Sequence, residues 1–301
     1  MSILAITGGT GFVGSHLIDL ALAEGHQVRA LTRREQAPRD GLTWIDGALD
    51  RVDSLRTLAN GADAVVHVAG VINAPDRAGF AAGNIDGTRA MVAAAKEAGV
   101  GRFIHISSLA AREPALSDYG WSKAGAEAPV TASGLDWVIV RPPAIFGPRD
   151  HELLELFRLA RRHVVPLPPA GGRMSLIYVE DLARLMLDLA TGEAAIGAII
   201  EPDDGAAEGW DHRDFVRAIG VAVGARVLPL PLPRGLLDAV AGLDRLVRGK
   251  RAKLTHDRVA YFCHPDWVAH RRPPPAVWTA ATDTRAALAT TAAWYRAHSL
   301  L

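Results

Sequence analysis

The stretch that decides the fold is LAITGGTGFVGSHLIDL, residues 4–20. It opens as a short apolar run, continues through glycines and ends in a helix-like segment. Gly8, Gly11 and Gly14 are spaced G-x-x-G-x-x-G. In a strand–turn–helix context the first glycine permits a tight turn, the second lets backbone approach a pyrophosphate and the third allows close helix packing. The stretch predicts a dinucleotide cradle at a helix N-terminus; a glycine-rich turn without a ligand is the alternative.

Short apolar runs alternate with helix-like segments through the first half of the chain. The runs are ILAIT, QVRALT, LTWID, AVVHVAG, RFIHISS and WVIVRP. Several are almost continuously apolar, as strands covered on both faces are. Strand alternating with helix predicts right-handed crossovers and a parallel sheet. We therefore expect an α/β fold with a doubly wound parallel sheet, the Rossmann arrangement.

The alternation breaks after RPPAIFGP, where the Pro/Gly-rich connection VVPLPPAGGR follows. SLIYVEDLARLMLDLA supplies one more strand and helix, and beyond it the pattern is irregular and richer in Trp and Pro. Within that part, LLDAVAGLDRLVRG predicts an amphipathic helix. We predict a nucleotide-binding domain over 1–148 and about 174–191, and a smaller substrate-binding lobe over about 149–173 and 192–301.

Composition excludes several classes of protein. Of the 301 residues 49% are hydrophobic, and 33 Lys and Arg balance 33 Asp and Glu, so nothing indicates a nucleic-acid partner. Cys263 is the single cysteine and no Cys/His cluster suggests a metal. The N-terminus lacks signal-peptide features and no apolar run is long enough for a membrane span. We therefore expect a cytoplasmic protein with a small-molecule substrate.

The end of the second predicted strand, ALTRRE, bears on the choice of nucleotide. In dinucleotide-binding domains an acidic residue here binds the adenosine ribose 2′-hydroxyl. This chain has Thr32, followed by Arg33 and Arg34. A neutral residue beside planar, permanently charged donors suits a 2′-phosphate. The sequence predicts NADP(H) in preference to NAD(H); two solvated surface arginines are the alternative.

Tyr119 and Lys123 lie four residues apart in SDYGWSKAGAE, which places them on one face of a predicted helix. Tyrosine is a poor acid or base near neutrality, with a reference pKa of about 10. A neighbouring ammonium group favours the phenolate and is expected to lower that pKa. Upstream, Ser107 and Ser108 end a predicted strand, where a hydroxyl could bind a substrate oxygen. Capping of the next element is the alternative for these serines.

These motifs occur together and in a fixed order. They are TGGTGFVG, DAVVHVAG, NIDGT, FIHISS, YGWSK and RPPAIFGP, with LIYVEDLARLM following near residue 180. As a set they resemble the extended short-chain dehydrogenase/reductase superfamily, which contains nucleotide-sugar epimerases, dihydroflavonol reductases and 3β-hydroxysteroid dehydrogenases. The resemblance spans residues 7–148 and is weak beyond residue 192. It also implies a homodimer through the MVAAAKEAG and KAGAEAPV faces, which core packing explains as well.

The resemblance implies a role for each matched residue. Ser108 becomes the donor to the substrate oxygen, Tyr119 the acid/base, and Lys123 its electrostatic and ribose-binding partner. The residues expected to bind cofactor, from the motifs and the resemblance together, are Gly8, Gly11, Phe12, Val13, Gly14, Thr32, Arg33, Arg34, Ala48, Leu49, Val68, Ala69, Gly70, Asn84, Ser107, Tyr119, Lys123, Pro142 and Ile145.

The predicted reaction is reversible hydride transfer between NADP(H) and a carbonyl or alcohol carbon on a small apolar or aromatic substrate. Ala144 stands where many nucleotide-sugar members carry Asn, and the C-terminal lobe is apolar. Two alternatives stay open. One is a nucleotide-sugar epimerase or dehydratase that holds NAD tightly, and the other is a non-catalytic NAD(P)H-binding accessory or sensor protein. Intact Ser108, Tyr119 and Lys123 argue against the second.

Overall fold

The computed structural model describes residues 1–249 and 254–301. They form two compact units. The first consists of Met1–Pro142, Glu180–Glu201 and Pro273–Trp278, and the second of Pro143–Val179, Pro202–Arg272 and Thr279–Leu301. That the second unit binds substrate stays a prediction.

The chain to Pro142 follows the predicted alternation. Its elements are β1 (Ile3–Thr7), α1 (Phe12–Ala23), β2 (Gln27–Thr32), β3 (Leu42–Asp46), α2 (Val52–Ala59), β4 (Ala64–His67), α3 (Arg77–Phe80), a π-helical turn (Ala81–Asp86), α4 (Gly87–Glu97), β5 (Arg102–Ile106), a 3₁₀ helix (Leu109–Arg112), α5 (Asp118–Thr131) and β6 (Asp136–Val140). Each of the six predicted runs coincides with or overlaps one of these strands.

The rest of the chain is built of shorter strands. Its elements are β7 (Ala144–Phe146), α6 (Leu154–Arg161), β8 (Val164–Leu167), β9 (Arg173–Met174), β10 (Leu176–Tyr178), α7 (Val179–Thr191), β11 (Ala198–Ile200), β12 (Trp210–Asp211), α8 (His212–Val223), β13 (Leu228–Pro231), α9 (Arg234–Arg248), α10 (His256–Phe262), β14 (Asp266–Trp267) and α11 (Thr284–Ala297). The amphipathic helix predicted from LLDAVAGLDRLVRG is α9, which confirms that prediction.

The first unit is organised around a seven-stranded sheet in the order β11-β6-β5-β4-β1-β2-β3. All its pairings are parallel, so the carboxyl ends of the strands share one edge. The strand order reverses between β1 and β4, where doubly wound sheets bind their ligands. Residues such as Leu4, Ile6 and Val66 are fully buried, because helices cover both faces. The predicted α/β doubly wound fold is confirmed.

The second unit contains three small sheets. β7 pairs with β10 and β8 with β13, both in parallel, while β9 lies between β12 and β14. Its helices α6, α8 and α11 pack together, and the Phe157 and Tyr295 rings meet edge to face at 5.1 Å. In neither unit, over the residues described, does a helix have the length and apolarity to cross a membrane.

Candidate active site

The glycine turn after β1 is shaped by close backbone packing. Gly8 has φ +74°, and a Cβ there would lie 2.7 Å from the backbone nitrogen of Ala69. A Cβ on Gly14 would lie 2.2 Å from the Gly8 carbonyl oxygen, so only glycine lets α1 approach the turn this closely. Gly11 precedes α1, and no side chain among the described residues caps that helix. The first-turn N–H groups, at Phe12 and Val13, are therefore left for an anion such as a pyrophosphate.

Arg33 and Arg34 follow β2 on an exposed turn. The Thr32 hydroxyl donates to the Arg34 carbonyl oxygen at 2.7 Å and accepts from the Arg34 N–H at 3.3 Å, which fixes the turn. Thr32 itself is buried, whereas both arginines are exposed. Within the part of the chain that the structure describes, neither guanidinium has a hydrogen bond or an ion pair. Their donors are thus free to bind a phosphate group, and the preference for NADP(H) stays a prediction.

The next two strands end at the same edge. Ala48 and Leu49 lie half-buried after β3, and a Cβ on Gly87 would lie 2.6 Å from Leu49 Cδ1, so Leu49 packs closely on α4. After β4, the half-buried Ala69 donates its N–H to the Thr7 hydroxyl at 3.1 Å. Val68 and Gly70 flank it, half-buried and exposed respectively. The positions after β4 border the crevice between β1 and β4, whereas those after β3 lie at the same edge of the sheet beyond β2.

Asn84 lies in the π-helical turn, an irregularity that is frequent at functional sites. Its side-chain oxygen accepts from the Val71 N–H at 2.7 Å, and its amide nitrogen donates to the Val71 carbonyl at 3.0 Å. The same nitrogen donates to the Ser122 hydroxyl at 2.8 Å. Asn84 is buried and ties the loop after β4 to α5. Its contact with a cofactor stays a prediction.

The two serines after β5 have different partners. Ser107 is buried and donates its hydroxyl to Glu127 Oε1 at 2.5 Å. Glu127 also receives two bonds from Arg141, Nε to Oε1 at 2.8 Å and Nη2 to Oε2 at 2.7 Å. Ser108 is half-buried and caps the 3₁₀ helix by accepting from the Ala110 N–H at 3.2 Å. Its hydroxyl also hydrogen-bonds Tyr119. Ser108 can therefore cap the 3₁₀ helix and still belong to the candidate site.

Tyr119 and Lys123 share α5, one turn apart. Burial raises the pKa of Tyr119 above its ordinary value, and the hydrogen bond from Ser108 offsets part of that shift. The net direction is opposite to the sequence expectation that the ammonium group would lower this pKa. Loss of hydration outweighs the other influences, and the Lys123 ammonium instead donates to the Ile106 carbonyl at 2.7 Å. Tyr119 is therefore a protonated phenol at neutral pH.

The pKa of Lys123 is also shifted by its surroundings. Burial lowers the pKa of Lys123 to about 8, and the Glu127 carboxylate opposes that shift. Glu127 lies one further turn along α5, so the stripe Tyr119, Lys123, Glu127 runs at i, i+4 and i+8. Sequence reading missed Glu127, although this spacing was a signal that could have found it. The Glu127 carboxylate interacts electrostatically with Lys123 and accepts hydrogen bonds from Ser107 and Arg141.

Two histidines lie beneath the site, in register on β4 and β5. His67 is bonded at both ring nitrogens, to Thr7 Oγ1 at 2.8 Å and Thr88 Oγ1 at 3.0 Å. His105 stacks on His67 with ring centroids 5.5 Å apart. Burial lowers the pKa of His67 to about 3 and that of His105 well below its ordinary value, and the Lys123 charge adds to both. Both rings are therefore neutral at neutral pH.

The last two predicted cofactor residues fall in different units. Pro142 follows β6 in the first unit and accepts the Leu109 N–H on its carbonyl at 3.1 Å. Ile145 lies in β7 of the second unit, opposite Ile177 of β10. Ser108, Tyr119 and the cradle residues all belong to the first unit, and Ile145 belongs to the second. A role for either residue at a nicotinamide ring stays a prediction.

Comparison with known proteins gives the family. A family model described as NAD(P)H-binding matches residues 8–191. The chain is 41% identical over 249 residues to the ceramide reductase of Caulobacter vibrioides, covering 80% of this chain and 77% of that protein. It is 33% identical over 208 residues to a putative dihydroflavonol 4-reductase of Synechocystis, covering 59% and 60%.

Solved structures agree on the fold. The structure of MoeE5 with UDP-glucose and NAD has a TM-score of 0.76 at 22% identity, covering 99% of this chain and all of that one. The Bordetella bronchiseptica enzyme WbmH with NAD⁺ has a TM-score of 0.75 at 23% identity, covering 98% of each chain. With the family model spanning more than half of its length, the chain belongs to the extended short-chain dehydrogenase/reductase superfamily and is an NAD(P)-dependent enzyme.

Proposed function

We propose that the chain is an NADP(H)-dependent oxidoreductase that interconverts a carbonyl and an alcohol on an apolar substrate. The observation that carries this proposal is the hydrogen-bonded pair of Ser108 and Tyr119, with Lys123 one turn along the same helix. A protonated phenol at neutral pH suits the acid that a carbonyl reduction requires. The direction that we propose is reduction, in which this phenol acts as the acid.

In the proposed mechanism, the chain supplies orientation and a proton. When bound, the reduced nicotinamide provides a hydride for the carbonyl carbon. Ser108 donates a hydrogen bond to the carbonyl oxygen, and Tyr119 transfers its phenolic proton to that oxygen as negative charge develops. Lys123, protonated below a pH of about 8, stabilises the phenolate that Tyr119 then becomes. Asn84, bonded to Ser122, keeps α5 in place during this step.

The cofactor half of the proposal rests on the cradle and on two arginines. Phosphate oxygens would bind the uncapped first turn of α1, where the glycines leave no side chain in the way. Arg33 and Arg34 would bind a 2′-phosphate with charge-assisted hydrogen bonds. Thr32 is already engaged by Arg34 and offers no carboxylate to the ribose of NAD(H).

One relative and one residue of the second unit support the proposed substrate class. The relative that is 41% identical is named for the reduction of a ceramide, which is a lipid. An apolar carbonyl compound also agrees with Ala144, where nucleotide-sugar members often carry Asn. The solved structures with nucleotide sugars are under 25% identical and carry no argument for that alternative beyond the fold. The proposed substrates are therefore apolar ketones, either small molecules or lipids.

The proposal is tested by following NADPH consumption with a panel of substrates. The panel contains aromatic ketones, aliphatic ketones, a ceramide with one alcohol oxidised to the ketone, and UDP-glucose. We expect NADPH oxidation with an apolar ketone and none with the nucleotide sugar. Turnover of the nucleotide sugar without net NADPH use would favour the epimerase, and no turnover with any apolar ketone would contradict the proposed substrate class.

Replacing Arg33 with alanine is expected to narrow the preference for NADPH over NADH. Hydrogen bonds between charged groups contribute about 1.5–3 kcal/mol, so the Kd for NADPH should rise roughly tenfold or more while that for NADH stays unchanged. Fluorescence titration of the two nucleotides measures this. Arg39→Ala is the matched control, because Arg39 is on the same connection and already pairs with Asp19 at 2.7 Å. Equal wild-type affinities for NADPH and NADH would contradict the assignment.

A further inference from the structure

Ser108 lies in a short segment that is held at both ends by buried carboxylates. The segment begins with Ser107 and ends with Arg112, the last residue of the 3₁₀ helix. At its start, the Ser107 hydroxyl donates to Glu127 Oε1 at 2.5 Å. At its end, Arg112 Nη1 lies 3.8 Å from Glu201 Oε2. Neither carboxylate belongs to the segment, so both fix its position from outside.

One arginine joins the two carboxylates. Arg141 follows β6 and donates Nε and Nη2 to the two oxygens of Glu127, at 2.8 and 2.7 Å, in the bidentate geometry of a strong pair. Its Nη1 lies 3.7 Å from Glu201 Oε1. The side chains of Arg141, Glu127 and Glu201 are 12%, 9% and 1% exposed. With Arg112 they form what we call the charged cluster, all of it in the first unit.

Stability alone does not explain the charged cluster. Its positive and negative groups balance, but taking each of them out of water costs free energy that their mutual attraction offsets only in part. Apolar side chains of the same volume are often at least as stabilising. What paired charges supply is a fixed direction, because a guanidinium and a carboxylate bond in one plane. The geometry of the segment 107–112 is the property that such pairing controls.

Glu127 has a further neighbour on its own helix. Lys123 precedes it by one turn of α5. Burial lowers the pKa of Lys123 to about 8, and the Glu127 carboxylate opposes this shift. The other titratable groups around the ammonium are Tyr119 on α5, His67 on β4 and His105 on β5, and all three are uncharged at neutral pH. Glu127 is thus the carboxylate that favours the charged form of Lys123.

We propose that Glu127 is a positioning residue for the reduction. Through Ser107 it fixes the segment that carries Ser108, and through its negative charge it stabilises the Lys123 ammonium beside Tyr119. Its action on the substrate is indirect, because other residues hold the carbonyl oxygen and give the proton. The inference rests on the proposed function, since it assigns Glu127 a part in the same reaction.

The test is Glu127→Gln, which keeps the size of the side chain and removes its charge. The kcat for an apolar ketone should fall by roughly tenfold to a hundredfold, because Ser108 is no longer held in place. The Kd for NADPH should change by less than about twofold. Wild-type kcat should decline above about pH 8, where Lys123 loses its proton, and in the variant this decline should begin at a lower pH. A merely structural role would lower the rate without moving the decline.

Two further variants separate the effects. Ser107→Ala removes the hydroxyl that bonds Glu127 and keeps every charge, so kcat should fall while the pH of the decline stays that of wild type. This variant tests the positioning of Ser108 even where Glu127→Gln does not fold. Glu97→Gln is the matched control, because Glu97 lies exposed at the end of α4 and pairs with Arg56 at 2.9 Å. Its kcat and pH profile should equal those of wild type.

A measurement that does not depend on turnover reads the lysine directly. The chain has four lysines, so NMR of protein with isotope-labelled lysine gives few ε-carbon signals, and Lys123→Met identifies the relevant one. We expect it to titrate near pH 8 in wild type and at a lower pH in Glu127→Gln. An unchanged titration together with an unchanged pH–rate profile would overturn the inference and leave the proposed function intact. Wild type that reduces no apolar ketone would instead contradict the proposed function, and with it the catalytic part of the inference.

Discussion

Tyr119→Phe is expected to lower the rate of carbonyl reduction by roughly a thousandfold, within the range that a general acid contributes. The substitution removes the hydroxyl that hydrogen-bonds Ser108 and keeps the ring in its place on α5. Because phenylalanine has no proton to give, the developing negative charge on the substrate oxygen is left to Ser108 alone. The Kd for NADPH should change by less than about twofold, since the lost group acts in the transition state.

Single-turnover kinetics and a nucleotide titration on the same preparation measure both quantities. Tyr261→Phe is the matched control, because Tyr261 lies on α10 of the second unit and loses the same atom. Its turnover should equal that of wild type. Retained turnover in the Tyr119 variant would remove this residue from the proposed acid role, and a parallel loss of NADPH binding would indicate a structural role instead.

Lys123→Met is expected to make the enzyme more stable and nearly inactive. Burial lowers the pKa of Lys123 to about 8, from a reference value of 10.5, so the folded state disfavours the charged ammonium. That shift corresponds to a destabilisation of the folded state by about 3 kcal/mol, which the substitution removes. The substitution also removes the hydrogen bond to the Ile106 carbonyl, and this loss offsets about 1 kcal/mol of the gain. The free energy of unfolding at pH 7 should therefore rise by about 2 kcal/mol. Turnover should fall by a hundredfold or more, because the phenolate of Tyr119 loses its cation.

The pH dependence of stability separates this cause from simple repacking. Between about pH 8 and 10.5 the unfolded wild-type chain binds more protons at this lysine than the folded chain does. The lysine should therefore make the free energy of unfolding of the wild type rise with pH across this window, and the methionine variant should lack that rise. Lys96→Met, at an exposed position near the end of α4, is the control and should keep the wild-type pH profile. A methionine variant less stable than wild type at pH 7 would contradict the account.

The fold could be predicted from the sequence because several of its strands are short and almost wholly apolar, and because strands alternate regularly with helices. β1, β4 and β6 have the pattern of strands covered on both faces, and the glycines after β1 have few other structural uses. The pairing of Tyr119 with Lys123 followed from helical spacing alone. Periodicity and motif order were sufficient for these features because they are local properties of the chain.

Other features depend on what surrounds each residue, which spacing does not describe. The expected sign of the Tyr119 shift was wrong because burial, not the nearby charge, dominates the pKa. The bond between Ser107 and Glu127 joins residues 20 positions apart and requires β5 and α5 to be packed first. For α9, the pattern predicted an amphipathic helix but not that Leu243 and Val247 would be the exposed side.

The central claim is that this chain moves a hydride from NADPH to a carbonyl carbon while Tyr119 supplies the proton. The most direct measurement uses NADPH that carries deuterium at both positions of nicotinamide C4, and mass spectrometry of the product. The account predicts one deuterium at the carbinol carbon for each NADPH oxidised with the wild-type enzyme, and a rate roughly a thousandfold lower with Tyr119→Phe. A product that forms without deuterium, or without net loss of NADPH, would contradict it.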